Sequence, residues 1–312
     1  MAVVAALPVL SEHEAALTYN ITFVVPASKC NLNCPACFIK ARNEVSKAEA
    51  WLSPSDYRKI ITAAADRYEH LRVAIQGYEP LLPESWEYTF SILDEARAHG
   101  LSSSFVTNGT YLETRLHELI SLEVGAVTVS VDSPSGHYHD LGRGALGAHA
   151  KAVSGLDKAL KLPELANKMI VASMLQPHRH HYLDGMAQWL ANRGAKKWVV
   201  GPMLSPRAKG TVDTIPDIFS TLYRLQSEAH AAGVKLVIDD EFSLIKDELP
   251  DKVSPLHKLA IRRLKRLERT IRFSPSGRAS VGAEILGEID HDMPRWVPAE
   301  ESGDAFLERA LA

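Results

Sequence analysis

Three cysteines stand close together near the start of the chain, and its 312 residues contain no others. Cys30, Cys34 and Cys37 form a C-x3-C-x2-C pattern, which offers three thiolates within one loop. Iron–sulfur clusters are held by cysteine thiolates, usually four of them, so a triplet would leave one iron open to an external ligand. An open iron suits a reactive site better than a structural one. The pattern therefore predicts a [4Fe–4S] cluster with one reactive iron.

A zinc site and a chance grouping of core thiols are the alternatives for this triplet. Structural zinc is usually enclosed by four protein ligands, and only a histidine could provide the fourth ligand nearby. The flanking histidines are His13 and His70, and neither lies at the spacing of a local zinc knuckle. The cluster is the favoured interpretation, and both alternatives stay open.

The composition is that of an ordinary globular enzyme with little net charge. The formal net charge of −3 disfavours nucleic acid as a main partner, because such binding depends on dense Lys and Arg. The basic run at 262–269 has leucines at helical spacing, so we interpret it as a solvated helix face. No run approaches the roughly 20 apolar residues that span a bilayer, and the N-terminus does not have the pattern of a signal peptide. Since no cysteine is left for a disulfide, we expect a cytoplasmic protein without a membrane partner.

Short β-rich runs alternate with amphipathic stretches, which is typical of a parallel sheet covered by helices. We predict strands at 20–26, 71–76, 103–107, 126–131, 168–175, 197–201 and 234–238. We predict helices at 54–67, 86–99, 113–122, 147–160, 181–193, 216–232 and 256–268. Six or seven strand–helix units are too few for a closed eightfold barrel, so the predicted fold is α/β, a partial (β/α)6 TIM-like barrel with a small C-terminal extension. Its predicted parts are an N-terminal segment (1–19), the barrel (20–242), and a C-terminal helix with the extension (243–312).

Residues able to do chemistry follow the predicted strands, and the carboxyl ends of parallel strands meet at one edge of a sheet. In strand order these are the cysteine triplet, Gln76-Gly-Tyr-Glu-Pro80, Thr107-Asn-Gly-Thr110, Ser130-Val-Asp-Ser133 with His137-Tyr-His-Asp140 and Arg143-Gly144, and Met174-Leu-Gln176. The sequence therefore predicts an enzyme with its active site at this edge.

These motifs, in this order, resemble those of the radical S-adenosylmethionine (SAM) enzymes over roughly residues 20–205. In that family, three cysteines after the first strand hold a [4Fe–4S] cluster whose open iron chelates SAM. One electron from the cluster cleaves SAM to methionine and a 5′-deoxyadenosyl radical, which abstracts hydrogen from the substrate. The resemblance implies one [4Fe–4S] cluster and SAM as cofactors, and an electron donor such as flavodoxin or ferredoxin as a partner.

The resemblance also implies roles for individual residues. Glu79 would accept a charge-assisted hydrogen bond from the SAM ammonium, and Gly77 would leave room for the methionyl end. Tyr78 replaces a glycine of the family motif beside them. The other predicted SAM contacts are Asn108, Ser130 (ribose or carboxylate), and Phe38, Leu175 and Gln176 (adenine).

Three residues are predicted to act on the substrate. Asp132 would face it, and Tyr138 could return hydrogen to a substrate radical, as could Tyr182. Asp240, within the acidic run 239–241, could hold a cationic substrate, with a solvated loop as the alternative for that run.

The segment 271–289 resembles the opening of a SPASM or twitch extension, but it contains no cysteine. We predict a small hairpin at 271–282, turned at Pro-Ser-Gly. Without further cysteines, neither a thiolate-ligated second cluster nor a cysteine hydrogen donor is available. This favours a redox-neutral rearrangement or elimination, with dehydrogenation that returns an electron to the cluster as an alternative.

The substrate is predicted to be a small polar metabolite of natural-product biosynthesis, such as an aminosugar, a nucleoside or a cyclitol. Only about twenty residues precede the first predicted strand, too few for the leader-binding domain that peptide-modifying relatives often carry. A peptide-modifying enzyme with a detached leader-binding partner is one alternative. A non-catalytic iron–sulfur sensor or partner subunit is another.

Overall fold

A computed structural model describes residues 19–35, 37, 39, 51–68, 70–176, 179–202, 215–239, 270–281, 284–290 and 295–298. All three cysteines fall within these ranges. Phe38, Asp240 and the predicted helix at 256–268 lie outside the described residues.

The described strands form one sheet of eleven strands, of which the first seven alternate with helices. These seven are β1 (Tyr19–Val25), β2 (Leu71–Gly77), β3 (Ser102–Thr107), β4 (Ala126–Ser130), β5 (Met169–Leu175), β6 (Lys197–Pro202) and β7 (Lys235–Ile238). Each of the first six pairs in parallel with the strand that follows it in the chain. The seven predicted strands are therefore confirmed. Because β7 lies at one end of the sheet and does not pair with β1, the sheet is open, as a partial barrel requires.

Helices connect the parallel strands. They are α1 (Pro54–Arg67), α2 (Pro83–Ala98), α3 (Leu116–Ser121), α4 (Gly136–Arg143), α5 (Ala148–Ala159), α6 (Pro163–Ala166), α7 (Met186–Ala191) and α8 (Ile215–Ala231). The predicted helices at 113–122 and 181–193 each begin instead with a 3-10 turn, at Leu112–Arg115 and His180–Leu183. None of the helices in the described part of the chain is long and apolar enough to cross a membrane.

The start of α1 shows how local sequence sets an element boundary. Ser53 and Asp56 form a capping box, in which Asp56 N–H donates to Ser53 Oγ (3.3 Å) and Ser53 N–H donates to Asp56 Oδ2 (2.9 Å). Pro54 occupies the first helical position, where its missing N–H costs nothing. The predicted start of this helix is confirmed.

The two faces of the sheet differ in the size of their side chains. Alternate residues of β1, namely Ile21, Phe23 and Val25, belong to the main core together with residues of the helices. The other face carries a much smaller apolar cluster, formed by Ala126, Ile170, Ala172 and Val199. Successive side chains of a strand point to opposite faces, so the helices cover the face with the large side chains.

The C-terminal strands extend the same sheet beyond β1. They are β8 (Thr270–Phe273), β9 (Ala279–Val281), β10 (Glu284–Asp290) and β11 (Arg295–Pro298). β8 pairs in parallel with β1, and β9, β10 and β11 follow in antiparallel order. The predicted hairpin is confirmed as β8–β9, whereas the predicted division of the chain after residue 242 stays a prediction.

Candidate active site

The three thiols lie on the cysteine loop, residues 26–37, which follows the carboxyl end of β1. All three are half-buried and free of disulfides. Leu32 N–H donates to Cys30 Sγ (3.4 Å), and Cys37 N–H donates to the Cys34 carbonyl (3.3 Å). In the ranges that the structure describes, no three Cys, His, Asp or Glu side chains form a ready-made metal site. The three thiols therefore do not converge on a single metal position in this structure.

The start of α2 holds the first part of the cysteine loop. Glu84 accepts from Ser28 through both carboxylate oxygens, from the backbone N–H at 2.8 Å and from the hydroxyl at 2.9 Å. The buried Ser85 hydroxyl donates to the Pro26 carbonyl at 2.9 Å. These bonds fix the loop to the connection that follows β2.

The turn after β3 holds the middle of the cysteine loop through side-chain amides. Asn108 Nδ2 donates to Asn31 Oδ1 (2.9 Å), and Asn31 Nδ2 donates to Thr110 Oγ1 (2.8 Å). Thr110 Oγ1 in turn donates to Asn108 Oδ1 (2.6 Å), which closes a ring of hydrogen bonds. Asn108, predicted as a SAM contact, thus has its side chain on the loop, with its amide nitrogen 3.9 Å from Cys30 Sγ.

The end of α4 holds the last part of the loop. Asn33 N–H donates to the Arg143 carbonyl at 3.2 Å. Gly144 ends the helix in the left-handed conformation (φ 63°), and a Cβ there would lie 2.3 Å from the Asn33 carbonyl oxygen. Only glycine combines this φ with so close an approach.

A buried ion pair joins the loop to the ends of β4 and β5. Asp132 is 2% exposed. Arg143 contacts both of its carboxylate oxygens, Nε to Oδ2 at 2.7 Å and Nη2 to Oδ1 at 3.0 Å. Met174 N–H also donates to Asp132 Oδ1 (3.0 Å), and the positive charge of Arg143 lies close enough to Cys34 to act against the rise in the pKa of that thiol. The carboxylate that was predicted to face the substrate is thus enclosed by protein groups.

Glu79 occupies a similar enclosed position at the end of β2. Its fully buried carboxylate accepts from Leu81 N–H (3.0 Å), the Thr107 hydroxyl (2.6 Å) and Asn108 N–H (2.6 Å). Burial raises the pKa of Glu79 to about 7, although these hydrogen bonds act in the opposite direction. A carboxylate has about four acceptor positions, so one is left for the predicted SAM ammonium.

A glycine is required at position 77, two residues before Glu79, because of the neighbouring strand. Its φ is 146°, and a Cβ there would lie 2.9 Å from the Val25 carbonyl oxygen. This close contact brings the start of the cysteine loop against the turn after β2. The Tyr78 carbonyl accepts from the Cys30 thiol at 3.5 Å across the same contact.

The chemistry of the donor set fits a bound iron–sulfur cluster. Burial raises the pKa of Cys30 to about 11 and also raises the pKa of Cys34, where nearby Arg143 acts in the opposite direction. Thiolates in such a setting need positive charge, which bound iron supplies. The N–H of Leu32 already donates to the sulfur of Cys30, and Arg143 supplies a positive charge near Cys34. Such donors are the usual surroundings of cluster thiolates.

Two tyrosines stack on each other, Tyr138 in α4 after β4 and Tyr182 in the 3-10 turn after β5. The rings of Tyr138 and Tyr182 are 4.5 Å apart and 14° from parallel, and His181 contacts both edge-on. Arg179 lies 5.6 Å from the centre of the Tyr182 ring. The sequence named both tyrosines but did not predict their contact, which their positions after neighbouring parallel strands could have indicated.

Three other predicted site residues lie at the carboxyl edge of the sheet. Ser130, Leu175 and Gln176 are buried at the ends of β4 and β5. Phe38 and Asp240 lie outside the described residues. Asp239, next to Asp240, is buried, and its Cβ lies 3.5 Å from the position that a Cβ on Gly201 would take.

Sequence reasoning gave no role to several residues that hold the site together. Arg143 was noted only as part of a motif, and Asn31 and Thr107 were given no role of their own. The signal for Asn31 was its place inside the cysteine triplet. No sequence signal indicated that Thr107 would bond to Glu79.

The fold and site define an α/β partial barrel with a three-cysteine loop fixed at the carboxyl edge of its sheet. Residues 24–170, just under half of the chain, match the Radical SAM superfamily. An uncharacterized protein of Archaeoglobus fulgidus is 28% identical over 189 residues. The match covers 61% of this chain and 41% of that protein, so the chain spans about two fifths of this relative's length.

Solved structures of similar fold include SuiB of Streptococcus suis bound to S-adenosylmethionine. It has a TM-score of 0.63 and 11% identity, over 95% of this chain and 65% of SuiB. Native anSMEcpe with bound AdoMet and the Cp18Cys peptide has a TM-score of 0.63 and 16% identity, over 88% of this chain and 78% of that one. At such identities the likeness shows a shared fold.

Proposed function

We propose that this protein is a radical SAM enzyme that binds one [4Fe–4S] cluster through Cys30, Cys34 and Cys37, and SAM beside it. The observation that carries the proposal is the attachment of the three-thiol loop to the turns after β2, β3 and β4. When bound, the cluster supplies the electron for reductive cleavage of SAM, and the resulting 5′-deoxyadenosyl radical removes hydrogen from the substrate.

The proposed SAM contacts come from residues at the ends of neighbouring strands. Glu79 can offer its one remaining acceptor position to an ammonium group, while its other bonds hold the carboxylate still. Ser130 and Gln176 place polar groups at the ends of β4 and β5, and Leu175 adds an apolar one. Phe38 would contribute an adenine contact. Asn108 acts mainly on the cysteine loop through Asn31.

We propose a redox-neutral rearrangement or elimination as the outcome. Cys37 is the last cysteine of the sequence, so this chain offers no thiol beyond the cluster ligands as a hydrogen donor. Tyr138, stacked on Tyr182, is the proposed donor to a substrate radical. The tyrosyl radical that this leaves would take one electron from an electron-transfer protein such as flavodoxin or ferredoxin, together with one proton.

The proposed substrate is a small polar metabolite with a cationic group, such as an aminosugar. Asp239, buried at the end of β7 beside Gly201, supports this proposal together with the adjacent Asp240. A peptide substrate is the second candidate, favoured by the shared fold of anSMEcpe, whose structure contains a bound peptide. The strands β8–β11 are the proposed cysteine-free SPASM- or twitch-like extension.

The test is to reconstitute the protein anaerobically, add dithionite and SAM, and measure iron and 5′-deoxyadenosine. We expect about four irons per chain and slow release of 5′-deoxyadenosine. Cys34→Ala should lose both the iron and this product, because a cluster ligand is removed. Stimulation by aminosugars or nucleosides would support the first candidate substrate, and stimulation by peptides would support the second. A chain that holds four irons but yields no 5′-deoxyadenosine under any of these conditions would be a non-catalytic iron–sulfur protein.

A further inference from the structure

The ion pair between Asp132 and Arg143 has no part in the proposed reaction, yet it is one of the most enclosed features of the site. Buried charges are costly to remove from water unless they are paired and hydrogen-bonded. Here Asp132 contacts two guanidinium nitrogens and Met174 N–H. The ion pair reaches from the ends of β4 and β5 towards Cys34. The position of the two charges relative to this proposed cluster ligand is therefore fixed.

Arg143 is held relative to the cysteine loop from two directions. Its side chain is fixed by Asp132, and its backbone carbonyl accepts from Asn33 N–H at 3.2 Å. Gly144, the next residue, lies so close to the Asn33 carbonyl that only glycine fits. The guanidinium therefore cannot move away from Cys34 without displacing either the ion pair or the loop.

The charged neighbours of this guanidinium are few. Asp132, the thiol of Cys34 and the buried carboxyl of Glu79 interact with it. His139 contributes through its ring Nδ1, which accepts from Asp132 N–H at 3.1 Å. Burial lowers the pKa of His139 to about 4, so this ring is neutral at physiological pH. Of the charged groups near Cys34, this guanidinium acts to lower the pKa of the thiol, whereas Cys37 and Asp132 act to raise it.

We propose that Arg143 is a positioning residue that raises the reduction potential of the cluster ligated by Cys34, and that Asp132 moderates this effect. The inference rests on the proposed cluster ligation. Reduction adds one negative charge to a cluster, and hydrogen bonds to its sulfurs and nearby charge set its potential. A fixed cation beside one thiolate stabilises the reduced form, whereas a carboxylate behind that cation weakens the stabilisation.

The two members of the pair should therefore shift the potential in opposite directions. Arg143→Met removes the cation and should lower the midpoint potential. Asp132→Asn removes the anion, leaves the cation next to Cys34, and should raise it. We expect each shift to be at least about tenfold in the equilibrium constant for reduction, which is about 59 mV for one electron. A purely structural disturbance has no reason to give shifts of opposite sign.

The experiment is a redox titration of the reconstituted protein, followed by electron paramagnetic resonance in the absence of SAM, with iron counted in each sample. The matched control is Arg58→Met, since Arg58 also pairs with two carboxylate groups, Asp94 and Glu95, but between α1 and α2. This variant should keep the wild-type potential. Arg143→Lys retains a cation without the planar fork, so its midpoint potential should lie between those of Arg143→Met and the wild type.

The outcomes separate this inference from the proposed function. If the variants hold a full cluster and their potentials equal that of the wild type or shift in the same direction, the electrostatic role is wrong and the proposed function stands. If Arg143→Met does not hold iron, Asp132→Asn decides the question. A raised midpoint potential in that variant supports the inference, and an unchanged or lowered potential rejects it. If neither variant holds iron while Arg58→Met does, the pair serves only to assemble the loop and the inference is rejected. A wild-type protein that binds no cluster would overturn the proposed function itself.

Discussion

The contact between Gly144 and the cysteine loop predicts that one added methyl group will disturb the proposed cluster site. In Gly144→Ala the new Cβ would lie 2.3 Å from the Asn33 carbonyl oxygen and 2.8 Å from its carbonyl carbon. Carbon and oxygen atoms in contact are normally more than 3 Å apart, so the loop must shift by about 1 Å. The left-handed φ of 63° adds about 1–2 kcal/mol of strain for any residue with a Cβ.

Gly147→Ala is the matched control for this substitution. Gly147 also has a left-handed conformation, with φ 78°, but nothing lies within 4 Å of the position of its Cβ. Both variants should lose about 1–2 kcal/mol of unfolding free energy from backbone strain. Only Gly144→Ala should in addition bind iron about 10- to 100-fold more weakly, the usual loss when an outer-shell partner of a metal site is changed.

The assay compares urea unfolding of the two variants with their retention of iron against a chelator. A Gly144→Ala protein that retains iron as well as Gly147→Ala does would refute the reasoning, because the clash would then be relieved without moving the ligands. Equal loss of iron in both variants would refute it as well, because backbone strain rather than the loop contact would be the cause.

Two other predictions concern the pH dependence of stability and the ring of hydrogen bonds among Asn31, Asn108 and Thr110. Burial raises the pKa of Glu79 from 4.5 to about 7, so the native state holds the extra proton between these values and the free energy of unfolding falls as pH rises. Burial lowers the pKa of His139 from 6.5 to about 4, so the unfolded state holds the extra proton there and the free energy rises with pH. The measurement is the free energy of unfolding in urea at several pH values between 5 and 6.5. When this free energy is plotted against pH, the slope for Glu79→Gln should be more positive than for the wild type, and the slope for His139→Asn more negative. Slopes equal to that of the wild type would contradict these assignments. Asn31→Ala removes two hydrogen bonds to the turn after β3. It should weaken iron retention about 10-fold and lower the free energy of unfolding by about 1 kcal/mol. A larger loss of stability with iron binding intact would show that Asn31 supports the fold rather than the loop.

The parallel sheet could be predicted from the sequence because its signals are local. Each strand is a short β-rich run, and Ser53-Pro54 or His99-Gly100 mark helix ends by their own chemistry. The four-residue α6 and the longer α4 were not predicted, and α4 shows the reason. Its sequence, Gly136 to Arg143, contains two glycines and two histidines, which are weak helix formers, and it is stabilised by contacts such as that of His139 with Asp132.

The site could be predicted in its location but not in its bonding. Parallel strands bring the ends of β1 to β5 together, so the sequence motifs that follow them had to be neighbours. Which groups pair there depends on three-dimensional distance. The sequence could not show that Arg143 selects Asp132 over other acids, or that Thr107 donates to Glu79, since residues that are far apart in the chain leave no periodic signal.

The pairing of β8 with β1 sets an order of events during synthesis. β1 ends at Val25 and β8 begins at Thr270, which lies 245 positions further along the chain. At roughly 5–20 residues per second, a ribosome needs about 10 to 50 s to cover that distance. Throughout this interval the outer edge of β1 is without its partner, and an open edge strand is a template for pairing between nascent chains. The first described strand to be synthesised thus gains its second neighbour only when the C-terminal strands emerge. The base of the cysteine loop, which follows β1, is completed at the same time.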